Sequence, residues 1–130
     1  MKILLLGHTG FVGKNLLKRL KKEQHNVIGL SRSEGTNLLD SQRIHDIIKF
    51  EKPDIIYNLA SHGGSIHYVN EFAADVFSDN LQMSLNIYKA VKETNPNIKI
   101  IQPFSNCSYP GNSSIQPFDR DWETHLLRIH

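Results

Sequence analysis

Three glycines near the start of the chain have the spacing of a phosphate-binding turn. The segment Gly7-His-Thr-Gly-Phe-Val-Gly13 follows a short apolar run and precedes a helical pattern. Gly7 allows a sharp turn, Gly10 lets the backbone approach a pyrophosphate, and Gly13 lets the helix pack close to the strand. The N–H groups and positive dipole end of that helix would face the anion. The spacing therefore predicts a nucleotide or dinucleotide site, and a tight turn without a ligand is the alternative.

The residues after the second predicted strand bear on which dinucleotide binds. At this position an acidic residue would bind the ribose 2′-hydroxyl of NAD, whereas a basic residue accommodates the 2′-phosphate of NADP. The chain has Ser31-Arg32-Ser33 there and no acid, so a guanidinium and a neighbouring hydroxyl are available to hold a phosphate. The sequence therefore favours NADP(H) over NAD(H). The alternative is that Arg32 is an ordinary exposed loop residue.

Strand and helix patterns alternate along the chain and must position these residues. We predict four strands, over Lys2–Leu6, Val27–Leu30, Asp54–Ala60 and Ile98–Gln102. Three amphipathic helices separate them, and the last is a long helix over 70–94. Such βαβ units connect by right-handed crossovers and predict an α/β fold with a Rossmann-type, doubly wound parallel sheet. The expected order of its four strands is 3-2-1-4.

The long helix has one apolar stripe, which we expect to be buried. Its members are Ala73, Val76, Phe77, Leu81, Leu85, Tyr88 and Val91. Asn80 and Ser84 fall inside the stripe, and a buried amide is costly unless its hydrogen bonds are satisfied. Asn80 should therefore bond either to the main chain near the fourth strand or into the site. We favour the bond to the main chain.

Composition excludes several classes of protein. The net charge of +2 is too small to indicate binding to nucleic acid. The single cysteine excludes an internal disulfide framework and fits a reducing cytoplasm. The apolar run Lys2–Leu6 is too short to cross a membrane, so no membrane association is expected. We assign no metal ligands.

Several motifs occur in an order that resembles the extended short-chain dehydrogenase/reductases, the nucleotide-sugar epimerase/dehydratase group. Within that group, the motifs resemble those of GDP-L-fucose synthase-like members. The resemblance covers about residues 1–118, which would form an incomplete NAD(P)-binding domain followed by an irregular tail over 119–130, without a substrate domain. The motifs that carry it are Gly7-x-x-Gly10-x-x-Gly13, Asn37-Leu-Leu-Asp40-Ser41, Asn58-Leu-Ala-Ser61, Gly63-Gly64, Asp79-Asn80-Leu81, Asn86 and Ser105-Asn-Cys-Ser-Tyr-Pro110.

The resemblance implies roles for individual residues. Leu39 and Asp40 would contact the adenine, and Leu59–Ser61 would line the cofactor between its two halves. Ser105 would hydrogen-bond the reacting sugar oxygen, and Cys107 would occupy the position of an acid/base cysteine. The cofactor-binding set is then Gly7, Thr9, Gly10, Phe11, Val12, Gly13, Arg32, Leu39, Asp40, Leu59, Ala60, Ser61 and Asn80.

Elementary chemistry supports the placement of the two catalytic candidates, Ser105 and Cys107. Both follow the carboxyl end of the fourth predicted strand, beside the topological switch point where such sheets bind ligands. A thiol there can titrate if a neighbouring group lowers its pKa. The alternative for Cys107 is that of a small buried hydrophobic residue.

The chain departs from the family after Ser105. The family uses a Tyr-x-x-x-Lys helix beyond the serine, and none follows before His130. The formal match, Tyr88-x-x-x-Lys92, precedes the fourth strand, and we interpret it as a coincidence. We therefore expect the N-terminal part of an NAD(P)-dependent nucleotide-sugar epimerase/reductase, which is truncated, frame-shifted or deliberately expressed as a piece and is inactive alone. The alternatives are a non-catalytic dinucleotide-binding or sensor module and an inactive remnant.

Partners follow from the same interpretation. The substrate class is a nucleotide sugar. In a sheet of four strands the fourth would be an exposed edge, and unpaired edges invite pairing with another chain. We therefore expect a homodimer through that edge.

Overall fold

Four parallel strands form one sheet in the computed structural model of the chain, which describes residues 1–104. The strands are β1 (Lys2–Leu6), β2 (Asn26–Leu30), β3 (Ile55–Asn58) and β4 (Lys99–Ile101). The helices are α1 (Phe11–Lys22), α2 (Ser41–Glu51), α3 (Ile66–Glu71) and α4 (Ala73–Thr94), with a short 3-10 helix over Arg32–Glu34. Ser105, Cys107 and the predicted tail over 119–130 lie outside the described residues.

The predicted fold class is confirmed, but the strand order differs from the expected 3-2-1-4. Numbered along the chain, the order is 2-1-3-4, because β3 returns to the side of β1 opposite β2. Leu4 in β1 pairs with Ile28 on one side and with Ile56 on the other. Apolar runs show that a strand is buried, but they do not show on which side of β1 a crossover returns. The reversal creates a switch point at the carboxyl end of β1.

The core lies between the sheet and two helices. Leu4 and Leu6 of β1 face α2 and α4, whose buried residues include Ile44, Ile48 and Ile87. Successive residues of a strand point to opposite faces, so Ile3 and Leu5 are directed to the other face. They are at most 1% exposed. Burial of β1 on both faces explains its uninterrupted apolar sequence.

The predicted long helix over 70–94 is two helices, and its predicted buried stripe is largely wrong. Phe72, between α3 and α4, has φ −112° and ψ 34°, which interrupts the helix. The exposed fractions of Phe77, Leu81, Leu85 and Tyr88 are 71%, 49%, 52% and 44%. The side of α4 that is buried contains Asn86, Ile87, Ala90 and Val91. Because α4 has apolar residues on two sides, its period does not show which side meets the sheet. Within residues 1–104, no helix combines the length and apolarity needed to span a bilayer.

Candidate cofactor-binding site

The glycine turn after β1 packs against backbone on both sides. Gly7 has φ +79°, and its N–H donates to the carbonyl of Leu30 at 2.8 Å. A Cβ at Gly7 would lie 2.8 Å from the Ala60 nitrogen, and one at Gly13 would lie 2.3 Å from the Gly7 oxygen. These distances are shorter than any Cβ contact tolerates, so both positions require glycine for close approach of the backbone.

The N-terminus of α1 opens beside this turn. Gly10 is its N-cap residue and forms no side-chain cap hydrogen bond. The first N–H groups of a helix have no partner within the helix, so they are available to an anion. Phe11 and Val12 in this first turn are 86% and 58% exposed. The first N–H groups of α1 are therefore available as hydrogen-bond donors, and the side chains of Phe11 and Val12 extend into solvent.

A chain of hydroxyl groups connects the turn to the end of β2. Ser31 is buried, and its Oγ lies 3.0 Å from Ser33 Oγ, which donates to Thr9 Oγ1 at 3.4 Å. Arg32, between the two serines, is exposed and lines the adjoining cleft. The neighbouring Glu34 carboxylate lies 3.2 Å from His8 Nε2. Glu34, the acidic residue closest in sequence to Arg32, thus contacts His8.

The loop after the 3-10 helix is held by an amide of α4. Asn86 is 5% exposed, and its Nδ2 donates to the carbonyls of Leu38 at 2.9 Å and Leu39 at 3.1 Å. Leu39 lines the cleft. The next residue, Asp40, is the N-cap of α2, and its Oδ1 accepts from the N–H of Arg43 at 2.9 Å. Leu39 is therefore placed to contact a ligand, whereas the Asp40 carboxylate caps a helix.

The loop after β3 forms the opposite wall of the cleft. Ala60 and Ser61 line it, and the N–H of Leu59 donates to the carbonyl of Leu6 at 3.0 Å. Asn80 of α4 bonds to both backbone groups of His62: Oδ1 accepts from its N–H at 2.8 Å, and Nδ2 donates to its carbonyl at 2.7 Å. Asn80 thus bonds to the main chain, as favoured, but its partner follows the third strand rather than the fourth.

Together these segments enclose one cleft at the carboxyl ends of β1, β2 and β3. Its walls come from the turn, the end of β2, the loop before α2, the loop after β3 and α4. The lining residues are Gly7, Leu30, Ser31, Arg32, Thr36, Asn37, Leu38, Leu39, Ala60, Ser61, His62, Asp79 and Met83.

A separate row of hydrogen-bonded polar side chains runs from β3 towards the end of β4 beside this cleft. Asn58 Nδ2 donates to Gln102 Oε1 at 3.1 Å, and Gln102 Nε2 donates to Ser84 Oγ at 3.3 Å. Within the described residues Asn58 Oδ1 is buried without a hydrogen-bond partner. The row ends three residues before Ser105 in the sequence. A polar surface thus adjoins the point where the predicted catalytic segment begins.

Comparison with known proteins decides the family. The profile of the NAD dependent epimerase/dehydratase family matches residues 3–128. The chain belongs to this family. It is 36% identical over 110 residues to GDP-L-colitose synthase of Yersinia pseudotuberculosis, covering 85% of the chain and 35% of that protein. It is 30% identical over 109 residues to GDP-L-fucose synthase of Escherichia coli K12, covering 84% of the chain and 34% of that protein.

Two solved structures of similar proteins agree with the fold. The GDP-mannoheptose C4 reductase of Campylobacter jejuni, with NADP bound, superposes with a TM-score of 0.74 at 25% identity. That match covers 93% of the chain and 38% of the reductase. A GDP-L-fucose synthetase from Naegleria fowleri has a TM-score of 0.72 at 25% identity, covering 92% of the chain and 35% of that protein. The chain therefore spans about a third of the length of the relatives it matches.

The structure brings most of the predicted cofactor residues of this family member to one place. Of the predicted set, Gly7, Arg32, Leu39, Ala60 and Ser61 line the cleft. Thr9 to Gly13 form the adjoining turn and helix start, Asn80 supports the loop behind, and Asp40 caps α2.

Several residues at the cleft or its supports had no predicted role, among them His62, Asp79, Met83 and Asn86. Asp79 and Asn86 stood in the motifs that carry the family resemblance, whereas nothing in the sequence pointed to His62 or Met83. His62 and Asp79 are 17 residues apart in sequence, so only folding shows their contact.

Proposed function

We propose that the cleft binds NADP(H) as the cofactor half of a nucleotide-sugar epimerase/reductase. The observation that carries the proposal is the backbone packing at Gly7 and Gly13, where a Cβ would lie 2.8 Å and 2.3 Å from backbone atoms. This packing supports a site that presents the N–H groups of α1 to a pyrophosphate. The fit is with a dinucleotide rather than a lone phosphate because the cleft continues from the turn to the apolar side chains of Leu39 and Met83.

The preference for NADP(H) rests on Arg32. Its guanidinium is at the end of β2, where the ribose 2′ position of a dinucleotide lies in such folds. A planar guanidinium can bind a phosphate through two parallel hydrogen bonds. The carboxylate of the nearby Glu34 lies 3.2 Å from His8 Nε2, so it is directed to His8. Ser31 and Ser33 add hydroxyl groups next to the same position.

Calorimetric titration with NADPH and NADH tests the proposal. We expect NADPH to bind more tightly, and Arg32→Ala to weaken NADPH about tenfold to a hundredfold, since a hydrogen bond to a charged group contributes about 1.5–3 kcal/mol. NADH affinity should be nearly unchanged. Arg19→Ala is the matched control because Arg19 is in the last turn of α1 and pairs with Glu23.

Two outcomes would contradict the cofactor proposal at different levels. Equal losses for NADPH and NADH in Arg32→Ala would remove the 2′-phosphate role and leave dinucleotide binding intact. Absence of binding of either cofactor at millimolar concentration would refute the site itself.

The chemistry that we propose is reduction or epimerisation of a GDP-linked keto sugar. GDP is favoured because several relatives, including GDP-L-colitose synthase and GDP-L-fucose synthase, are named for GDP sugars. NADPH would supply the hydride when bound. Ser105 would hydrogen-bond the sugar oxygen, and Cys107 would transfer the proton in an epimerisation.

The second candidate is a dinucleotide-binding module without catalysis. A polypeptide of these 130 residues alone has no Tyr-x-x-x-Lys after Ser105, so we expect it to bind NADPH and not to oxidise it when a GDP-linked 4-keto sugar is added. Consumption of NADPH above the rate without sugar would overturn this expectation.

The exposed edge of β4 and the single cysteine bear on assembly and on the cellular compartment. In the described part of the chain, β4 pairs with β3 alone, so its other edge presents free backbone groups. We propose that two copies pair through this edge, which sedimentation equilibrium would detect as a dimer. The single cysteine supports a reducing compartment, the cytoplasm.

A further inference from the structure

The side chain of His62 is held between two polar groups beside the cleft. Its Nδ1 lies 2.8 Å from Asp79 Oδ2, and its Nε2 lies 2.9 Å from the Tyr68 hydroxyl. The three residues come from the loop after β3, from α4 and from α3. His62 and Asp79 line the cleft, and Tyr68 lies on the far side of the imidazole from Asp79. This Tyr68–His62–Asp79 line is independent of the glycine turn.

The backbone of His62 is held as firmly as its ring. Asn80 accepts from its N–H at 2.8 Å and donates to its carbonyl at 2.7 Å. Four hydrogen bonds thus fix one loop residue, three of them made directly by the adjacent α4 residues Asp79 and Asn80. The fourth, from Tyr68, is the only one that ties the imidazole to α3.

Tyr68 is itself held in place by packing. Its ring centroid lies 4.9 Å from that of Phe72 and 5.8 Å from that of His62. A Cβ at Gly64 would lie 2.7 Å from Tyr68 Cδ1, so the ring rests directly on the loop backbone. The Tyr68 ring is therefore positioned by Phe72 and Gly64, neither of which lines the cleft.

The partners of the ring differ in what they can exchange. An ionised carboxylate only accepts hydrogen bonds, so His62 Nδ1 carries the proton that Asp79 accepts. A tyrosine hydroxyl both donates and accepts, so it can bond Nε2 whether or not Nε2 carries a proton. Without the hydroxyl, Nε2 loses this partner and the ring is fixed at one end only.

We propose that Tyr68 is a positioning residue of the cofactor cleft, which acts through the imidazole of His62, itself a residue of the cleft wall. The proposal rests on the proposed cofactor binding. His62 lines the cleft next to Ser61, and Asp79 and Tyr68 together hold its ring in one orientation. Loss of the Tyr68 hydroxyl leaves the imidazole held at Nδ1 alone before the ligand binds, and the ligand must then order the ring at a cost in affinity.

The test compares Tyr68→Phe with Tyr88→Phe, a matched control on α4 whose tyrosine is 44% exposed. In Tyr68→Phe we expect the ¹⁵N signals of the His62 imidazole, in the free protein, to shift at Nε2. We also expect the dissociation constant for NADPH to rise about twofold to tenfold, the effect of one neutral hydrogen bond. Tyr88→Phe should change neither measurement.

Each outcome bears on a specific claim. A changed imidazole signal with unchanged NADPH affinity refutes the proposal, as does a changed affinity with an unchanged imidazole signal. A role in stability alone would lower the urea midpoint of Tyr68→Phe and leave the affinity of the folded protein unaltered, which also refutes it. If the wild-type chain fails to bind NADPH, the proposed function has failed, and the positioning role falls with it even where the imidazole signal responds.

Discussion

Replacing Gly13 by alanine tests whether close approach of backbone defines the cofactor turn. A Cβ at this position would lie 2.3 Å from the Gly7 oxygen, 2.6 Å from His8 Cα and 2.9 Å from the His8 carbonyl carbon. All three neighbours are backbone atoms, so no side chain can rotate away. The first turn of α1 must move from the end of β1, or the turn itself must distort.

Two opposing effects set the magnitude. Alanine within a helix ordinarily stabilises by roughly 0.5–1 kcal/mol relative to glycine. Overpacking a well-packed site costs about 1–3 kcal/mol, and the upper part of that range applies where the obstacle is backbone. We therefore expect Gly13→Ala to lower the free energy of unfolding by about 1–2 kcal/mol. NADPH binding should be lost, because the displaced helix start no longer faces the pyrophosphate.

Urea unfolding followed by circular dichroism measures the first effect and calorimetry the second. Gly63→Ala is the matched control because a Cβ there has no heavy atom within 4 Å. Gly10→Ala should fall between the two, since its Cβ would lie 3.3 Å from the Gly7 oxygen. A Gly13→Ala chain that is more stable than wild type and still binds NADPH would refute the close-approach argument.

Three further substitutions test the supports of the cleft. Asp40→Ala should lower the free energy of unfolding by about 1 kcal/mol, because α2 loses its N-cap. Asp40→Asn should keep both the cap and the affinity for NADPH. Weaker NADPH binding in Asp40→Asn at unchanged stability would instead show that the carboxylate contacts the adenine. Asn86→Ala should lower the free energy of unfolding by about 1–3 kcal/mol, because the carbonyls of Leu38 and Leu39 lose their donor. Gln82→Ala removes only the hydrogen bond that Gln82 donates to Asn86, and an Asn86→Ala effect no larger than that of Gln82→Ala would contradict this expectation. Gly29→Ala should be milder than Gly13→Ala in the same assay, since its Cβ would meet the His8 ring at 2.7 Å and a side chain can move; equal losses would show that the ring is immobile.

The features that the sequence predicted correctly are encoded within short segments. The Gly7–Gly13 spacing predicted the turn between β1 and α1, and short runs rich in apolar residues predicted the positions of all four strands. The motifs from Gly7 to Pro110 predicted the family that the profile match confirms. Each of these depends on residues that are neighbours in the chain, so local conformational preference and burial are enough to reveal them.

The predictions that were wrong concern the strand order and the buried side of α4. In both, the sequence pattern was equally compatible with two arrangements. The order 3-2-1-4 was wrong because an apolar strand has no mark for the side on which it joins β1. The stripe from Phe77 to Tyr88 is exposed because α4 carries a second apolar side, with Ile87, Ala90 and Val91, that packs on the sheet. Tertiary packing chose between alternatives that the periodicity left equal.

The sequence by itself determined a glycine turn, an arginine after the second strand and a parallel α/β fold, because each is encoded by adjacent residues. Only the tertiary structure decided which side chains support the cleft. Asn86 reaches the loop at Leu38 across 48 residues, and Asp79 reaches His62 across 17. Such contacts form between segments that meet only when β3 returns beside β1 and α4 packs on the sheet. The strength of such a contact depends on the distance between its atoms in space, and the separation of the two residues along the chain does not predict that distance.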